Sequence, residues 1–301
     1  MDEDAYDGIP CAVGVMSGPN APFEMALKWC GWGARTYEKL GTPFDGPRDL
    51  LDPTVQEEAA NDIAIADLLL VEMDCSTLSR AREIPLRGNA KKIKSLPLRN
   101  EDHLRGLPRL QERGNERELQ QCTEANTLID WALEQVHGMV DRGAGALQEN
   151  PRNSWYWEFP RNAELLQKGC EDYDHDTCAF SGARAKKQRW RGNIPEIQRR
   201  RADCHHIHSR DEWAPKRTGR NTFEFASKEE EEYTAHQVFY LAVQCSIWAV
   251  RTGKAKLRLP KLCLVPNAVG SRLLWCELPP AAVRSAAMPG LGLRLQLSPP
   301  M

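Results

Sequence analysis

The chain lacks most of the features that place a protein at a glance. Its formal net charge is only -2 over 301 residues. That excludes nucleic-acid affinity spread over the whole surface and leaves only a local basic patch to supply it. No apolar run approaches the ~20 residues of a membrane-spanning helix, so no membrane partner is expected. The N-terminal MDEDAYDGIP is acidic and polar, without the basic-then-apolar order of a secretory signal. Ten cysteines are present but scattered, without the pattern of a disulfide-stapled scaffold, and are expected to be reduced in a nuclear or cytoplasmic protein. Internal repeats are missing too. What the chain does have is 41% hydrophobic residues, enough to bury the core of one large α/β domain or two small ones.

Its first two thirds alternate apolar runs with helical patterns. Cys11 to Met16 ends in Ser17-Gly18-Pro19-Asn20, and Phe23, Leu27 and Cys30 follow at helical spacing. Gly33 to Leu40 reads as a second strand, Val55 to Ile65 as a helix, and Ala66 to Met73 as a strand apolar on both faces, which suits the centre of a parallel sheet. Residues 84–118 are charged and read as a long loop insertion. Leu119 to Val140 reads as a helix with Cys122, Ala125, Ile129, Ala132 and Val136 on one face, and Gly145 to Gln148 as a short strand. Repeated β-α-β units imply a parallel sheet. Beyond 152 the pattern is irregular, with Asp176 to Phe180 as a strand-like piece. A helix near 227 carries a Ser227/Glu230 capping box and an apolar face of Val238, Leu241, Cys245 and Trp248. The domain is expected to span 1–254, with 255–301 a weakly ordered tail.

Open parallel sheets bind ligands beyond the carboxyl ends of their strands. Here those ends carry Ser17-Gly18-Pro19, Glu38, Asp74-Cys75-Ser76 and Glu149-Asn150-Pro151. Each alone is weak, since Ser-Gly-Pro is usually a turn and a cysteine after a strand is usually a small hydrophobe. Their recurrence at one sheet edge carries the weight.

This order resembles the DNA cytosine-5 methyltransferases, in which a Pro-Cys motif holds the nucleophile and a Glu-Asn-Val motif the catalytic glutamate. DCSTLSRAREIPLRG, ENPRNSWYW and CHHIHSRDEW look like a divergent branch of that family, partly carried by retroelements. The resemblance covers roughly residues 8–250. It implies an α/β, Rossmann-like class I methyltransferase sheet with helices on both faces and an irregular C-terminal portion. It also implies S-adenosylmethionine as cofactor and DNA as partner, with RNA as another acceptor. Cys75 would be the nucleophile, with Glu149 and Arg189 also catalytic. Ser17, Gly18 and Pro19 would hold the cofactor's methionine end and Glu38 its ribose. The departures are Asp74 in place of proline, a charge that should raise the thiol pKa, and only a loose match at Gln188-Arg189-Trp190-Arg191. An inactive methyltransferase relative and a non-enzymatic basic nucleic-acid-binding module stand as alternatives.

The basic stretch 184–201 includes Lys186, Lys187, Arg189 and Arg191 around Trp190, and Arg80, Arg82 and Arg87 follow Cys75. Arg80, Arg82, Lys186, Lys187 and Arg191 are the expected phosphate contacts, against a solvated face or loop. Trp155 and Trp157 read as core before base pocket. Cys204-His205-His206-x-His208, which Cys170, His175 and Cys178 could complete, has zinc-binding residue types. Its spacing is not that of a standard finger, so it reads as a polar loop and no metal is assigned.

Overall fold

Along each of the first strands, neighbouring residues bury themselves on opposite faces, the period of two that pleating imposes. Val13, Val15, Leu69, Val71 and Ala146 pack into one apolar cluster, while Ala12, Leu68, Leu70 and Leu147 pack into another. A sheet buried on both faces needs a helical layer on each. The computed structural model supplies them. It describes residues 9–83, 96–199, 204–209, 213, 216–218, 223–224 and 233–255. Arg87, Arg200, Arg201, the expected capping box Ser227/Glu230 and the tail from 256 lie outside the described residues.

The elements run β1 (Cys11–Val15), α1 (Pro22–Trp29), β2 (Gly33–Tyr37), α2 (Pro53–Ile65), β3 (Leu68–Glu72), α3 (Glu116–Asp141), β4 (Gly145–Pro151), α4 (Pro160–Gln167), β5 (Glu171–Asp176), β6 (Lys187–Gly192), the two-residue strands β7 (Lys216–Arg217) and β8 (Phe223–Glu224), and α5 (Ala235–Arg251). Six strands form one sheet in the order β2-β1-β3-β4-β6-β5. Strands β2, β1, β3 and β4 are mutually parallel. Helices α2, α3 and α4 contribute to the first cluster and α1 and α5 to the second, so helices cover both faces as expected. Fully burying one leucine such as Leu70 contributes about 1.5–3 kcal/mol. No helix among the described residues is long and apolar enough to cross a membrane.

The strands of the β-α-β units are parallel as expected, and the irregular portion adds two more strands to the sheet. β6 runs antiparallel between β4 and β5. Within the basic stretch, residues 187–192 are therefore not a loop but that inserted strand, and it pairs with β5 through charge. Asp172 lies opposite Arg191 and Asp174 opposite Arg189. Asp176 to Phe180 is not a strand either. Only Asp176 belongs to β5, and Thr177–Phe180 is a 3-10 turn. The charged segment before α3 is more structured than a loop in its described part. Arg99 is fully buried, and its guanidinium donates to Thr77 O (3.2 Å), Thr77 Oγ1 (3.1 Å) and Asn126 Oδ1 (2.7 Å). α5 is capped by Thr234, whose hydroxyl accepts from Gln237 N (3.1 Å). Its buried face includes Val238, Leu241, Cys245 and Trp248, as the spacing predicts.

Candidate functional site

From β1 the chain moves outward to β2, then returns across β1 to β3. The winding therefore reverses between β1 and β3, and the crevice beyond their carboxyl ends is where open α/β sheets take ligands. A cleft of about 670 Å³ lies there. Ser17, Gly18, Pro19, Glu38, Cys75, Glu149 and Lys186 all line it, so residues far apart in sequence share one space.

The turn after β1 is held in an unusual conformation. Met16, Gly18 and Ala21 have φ of 61°, 76° and 40°. Two of these are not glycine, and left-handed backbone costs such residues about 1 kcal/mol or more each. What holds the turn is its neighbour strand: Met16 N donates to Tyr37 O (2.9 Å) and Gly18 N to Glu38 Oε2 (2.9 Å). The space around Gly18 is open, with nothing within 4 Å of where a Cβ would stand. Its backbone is thus accessible to a ligand.

The opposite wall comes from β3 and β4. Asp74 caps its own turn, accepting from Ser76 N (2.8 Å) and Ser76 Oγ (2.7 Å). Asn150 Nδ2 donates to Met73 O (2.7 Å), so the Glu-Asn-Pro segment fixes the backbone that presents Cys75. Burial pushes the Cys75 thiol up to about 11. Lys186 opposes that shift, and Glu149 and Asp74 add to it. Glu149 is itself raised above the ordinary carboxylate range by burial, against Lys186 and hydrogen bonds from Tyr233 and Gln188. Its Oε1 is buried with no hydrogen-bond partner among the described residues. Glu72 is raised well above that range, by burial first and by Glu149 second, with Ser17 opposing.

The remaining expected residues fall elsewhere. Arg189 does not line the cleft. Its guanidinium bonds Asp174 (2.7 and 3.1 Å) and Asp172 (2.8 Å), and the cation beside Cys75 and Glu149 is Lys186. Arg191 is internal, bound to Asp172 (2.6 and 2.9 Å) and to Asn162 O (2.9 Å), so it presents nothing to a phosphate. Arg80 stacks 3.7 Å from the Trp155 ring centre and pairs with Glu158 (3.1 Å). Arg82 donates to Ser76 O (3.1 Å). Lys187 is exposed. Trp155 and Trp157 are core.

The cleft residues that sequence reasoning did not place there include Glu72, Tyr233 and the charged Lys39, Arg48, Asp49 and Glu124, and Gln188 was named only in a loose motif match. Glu72 closes a run read only as apolar; a lone carboxylate at the end of that run was the available signal, and its register opposite Glu149 appears only in the structure. Gln188 and Tyr233 enter through strand insertion and chain return, which leave no local trace. No protein-family model matches the chain, and no curated protein matches its sequence.

Proposed function

We propose that this cleft binds S-adenosylmethionine and that the chain transfers its methyl group to C5 of cytosine in DNA. The observation that carries the proposal is the meeting of Gly18 and Glu38 with Cys75, Glu149 and Lys186 in one cleft. The cofactor's chemistry fits the lining. With Glu72 and Glu149 held toward their neutral forms, Glu38, Asp49, Asp74 and Glu124 line the cleft against Lys39, Arg48 and Lys186, a near balance of charge that accepts a ligand carrying both signs. Ser17, Gly18 and Pro19 would hold its methionine end and Glu38 its ribose. When bound, S-adenosylmethionine supplies an electrophilic methyl group.

The chain's own residues do the rest. Cys75 Sγ, as thiolate, bonds cytosine C6, and the displaced electron pair makes C5 nucleophilic. Glu149 holds a proton at the N3 edge as charge develops there. Its raised pKa favours the protonated form this requires. A neutral Glu149 also removes one of the charges acting against the Cys75 thiolate, while Lys186 favours that thiolate. After methylation, loss of the C5 proton expels Cys75. The base must leave the duplex to reach this depth.

A second reading, a cofactor-binding relative without turnover, is favoured by the Cys75 thiol near 11. Calorimetry tests the first step. Saturable S-adenosylmethionine binding that Gly18→Asp and Glu38→Ala both abolish supports the cofactor site. A folded protein that binds none overturns both readings. DNA carrying 5-fluorocytosine, which cannot lose a C5 proton, tests the second step: a covalent adduct absent in Cys75→Ser supports catalysis, and binding without adduct or methyl incorporation supports the inactive relative.

A further inference from the structure

We propose that Cys178, Cys204, His206 and His208 form a structural zinc site, independent of the chemistry of the cleft. One donor atom from each of the four lies within 4.8 Å of all the others. Tetrahedral zinc with Zn–S of about 2.3 Å and Zn–N of about 2.0–2.1 Å places its donors roughly 3.3–3.8 Å apart. Cys204 Sγ and His206 Nδ1 are already separated by 3.7 Å, so only small movements close the set onto an ion. Two sulfurs and two imidazoles complete a four-coordinate shell and leave no open position. That is the composition of a structural site and not of a hydrolytic one.

The chain is arranged to present these groups together. Three ligands, Cys204, His206 and His208, come from one short segment without regular secondary structure that bends at His206, where the His206 N–H donates to Cys204 Sγ (3.3 Å). Ile207 is fully exposed at 102%, and His205 and the ligand His206 are exposed too, so the set sits at the surface. The fourth, Cys178, is a buried cysteine in the 3-10 turn that follows β5. A second tie reaches the same corner, where Cys204 N donates to Asp176 Oδ2 (3.0 Å). The other residues of suitable type are engaged elsewhere. His175 Nε2 lies 3.1 Å from Gln188 Oε1, and Cys170 is packed in the apolar core. By spacing alone the segment is a polar loop; the ligand set appears only once β5 brings Cys178 alongside.

Bound zinc would also bear on the cleft. Thr177, next to Cys178, donates its N–H to Lys186 O (3.0 Å), and Lys186 N donates to Thr177 Oγ1 (3.1 Å). The ion would clamp residues 204–209 onto the corner that positions the Lys186 backbone.

The test uses the full chain purified without chelators. Elemental analysis should find one zinc per chain, lost in Cys204→Ser and His208→Ala and retained in His205→Ala. A folded chain that holds no zinc after dialysis against zinc overturns the site, as does a Cys178–Cys204 disulfide in non-reducing peptide mapping. Equal zinc content in Cys204→Ser, His208→Ala and wild type overturns it too. If the variants do not fold, cobalt titration of the metal-stripped wild-type chain decides. Thiolate-to-cobalt charge-transfer absorption with tetrahedral d–d bands supports the proposal, and octahedral cobalt without charge transfer refutes it.

Discussion

Glu72 and Glu149 are direct register partners on the adjacent parallel strands β3 and β4, two buried carboxyls at the floor of one cleft. Each has a pKa raised above the ordinary carboxylate range, with burial as the first cause, and for Glu72 the charge of Glu149 adds to it. A carboxyl raised on folding contributes stability that is complete below its unfolded pKa and is lost as pH rises through the folded value. The fold should therefore weaken from the ordinary carboxylate range upward. Urea midpoints at about pH 5 and about pH 8 should differ in wild type, and the gap should shrink in Glu72→Gln and shrink further when Glu149→Gln is added. Each tenfold gain in a carboxyl's proton affinity on folding corresponds to about 1.4 kcal/mol of this pH dependence. A midpoint gap unchanged by Glu72→Gln would show that the pair stays ionised without cost.

The same charges govern Cys75. Its rate of alkylation should climb tenfold per pH unit across the neutral range and level off only near about 11. Glu149→Gln and Asp74→Asn should each move the plateau down, and Lys186→Met should move it up, following the direction in which each neighbour acts. Stopped-flow alkylation of Cys75, with the site followed by peptide mapping, reads this directly. A wild-type plateau near neutral pH would mean that the thiolate is already favoured in the free protein and would remove the argument for an inactive relative.

What the sequence made legible was what hydrophobic periodicity can report. β1, β3 and β4 bury runs such as Leu68–Val71, and α3 and α5 carry continuous apolar faces, so their existence and buried faces could be read, while β4 runs on to Pro151 and not Gln148, and α5 begins at Ala235 and not near 227. The strand ends lining the cleft followed from that. β5 and β6 were illegible for the converse reason. EDYDHD and KQRWRG hold together through Asp172–Arg191 and Asp174–Arg189 ion pairs across the ladder, and a pairing between strands has no signature within either one. Lys186, read as a phosphate contact, and Tyr233 reach the cleft only because β6 is inserted beside β4 and the chain returns over it.

Those ion pairs give a stability prediction. The Arg191 side chain is only 3% exposed, but Asp172 is 25% exposed and keeps Arg189 at 2.8 Å when Arg191 is removed, so the loss is that of charge-assisted hydrogen bonds, about 1.5–3 kcal/mol. Arg191→Ala should lower the unfolding free energy by roughly that amount, and Arg191→Lys should recover little of it, because the fork that engages both Asp172 oxygens is lost. Chemical denaturation measures both. If Arg191 instead met a phosphate, its replacement would leave stability unchanged and reduce the salt slope of DNA binding by about one.

Asn150 links stability to the proposed chemistry. Fully buried, it donates to Met73 O (2.7 Å) from the strand that carries Glu149 into the segment that carries Cys75. Asn150→Ala leaves that carbonyl without its donor, a loss of about 1–3 kcal/mol, and frees the Cys75 turn from β4. Asn150→Asp replaces the donor with an acceptor facing a carbonyl and adds a charge beside Glu149, so it should be worse than alanine. If the link positions the nucleophile, Asn150→Ala should keep S-adenosylmethionine affinity, because Gly18 and Glu38 are anchored through β2, while losing the 5-fluorocytosine adduct. Parallel loss of both would mean that Asn150 only supports the fold.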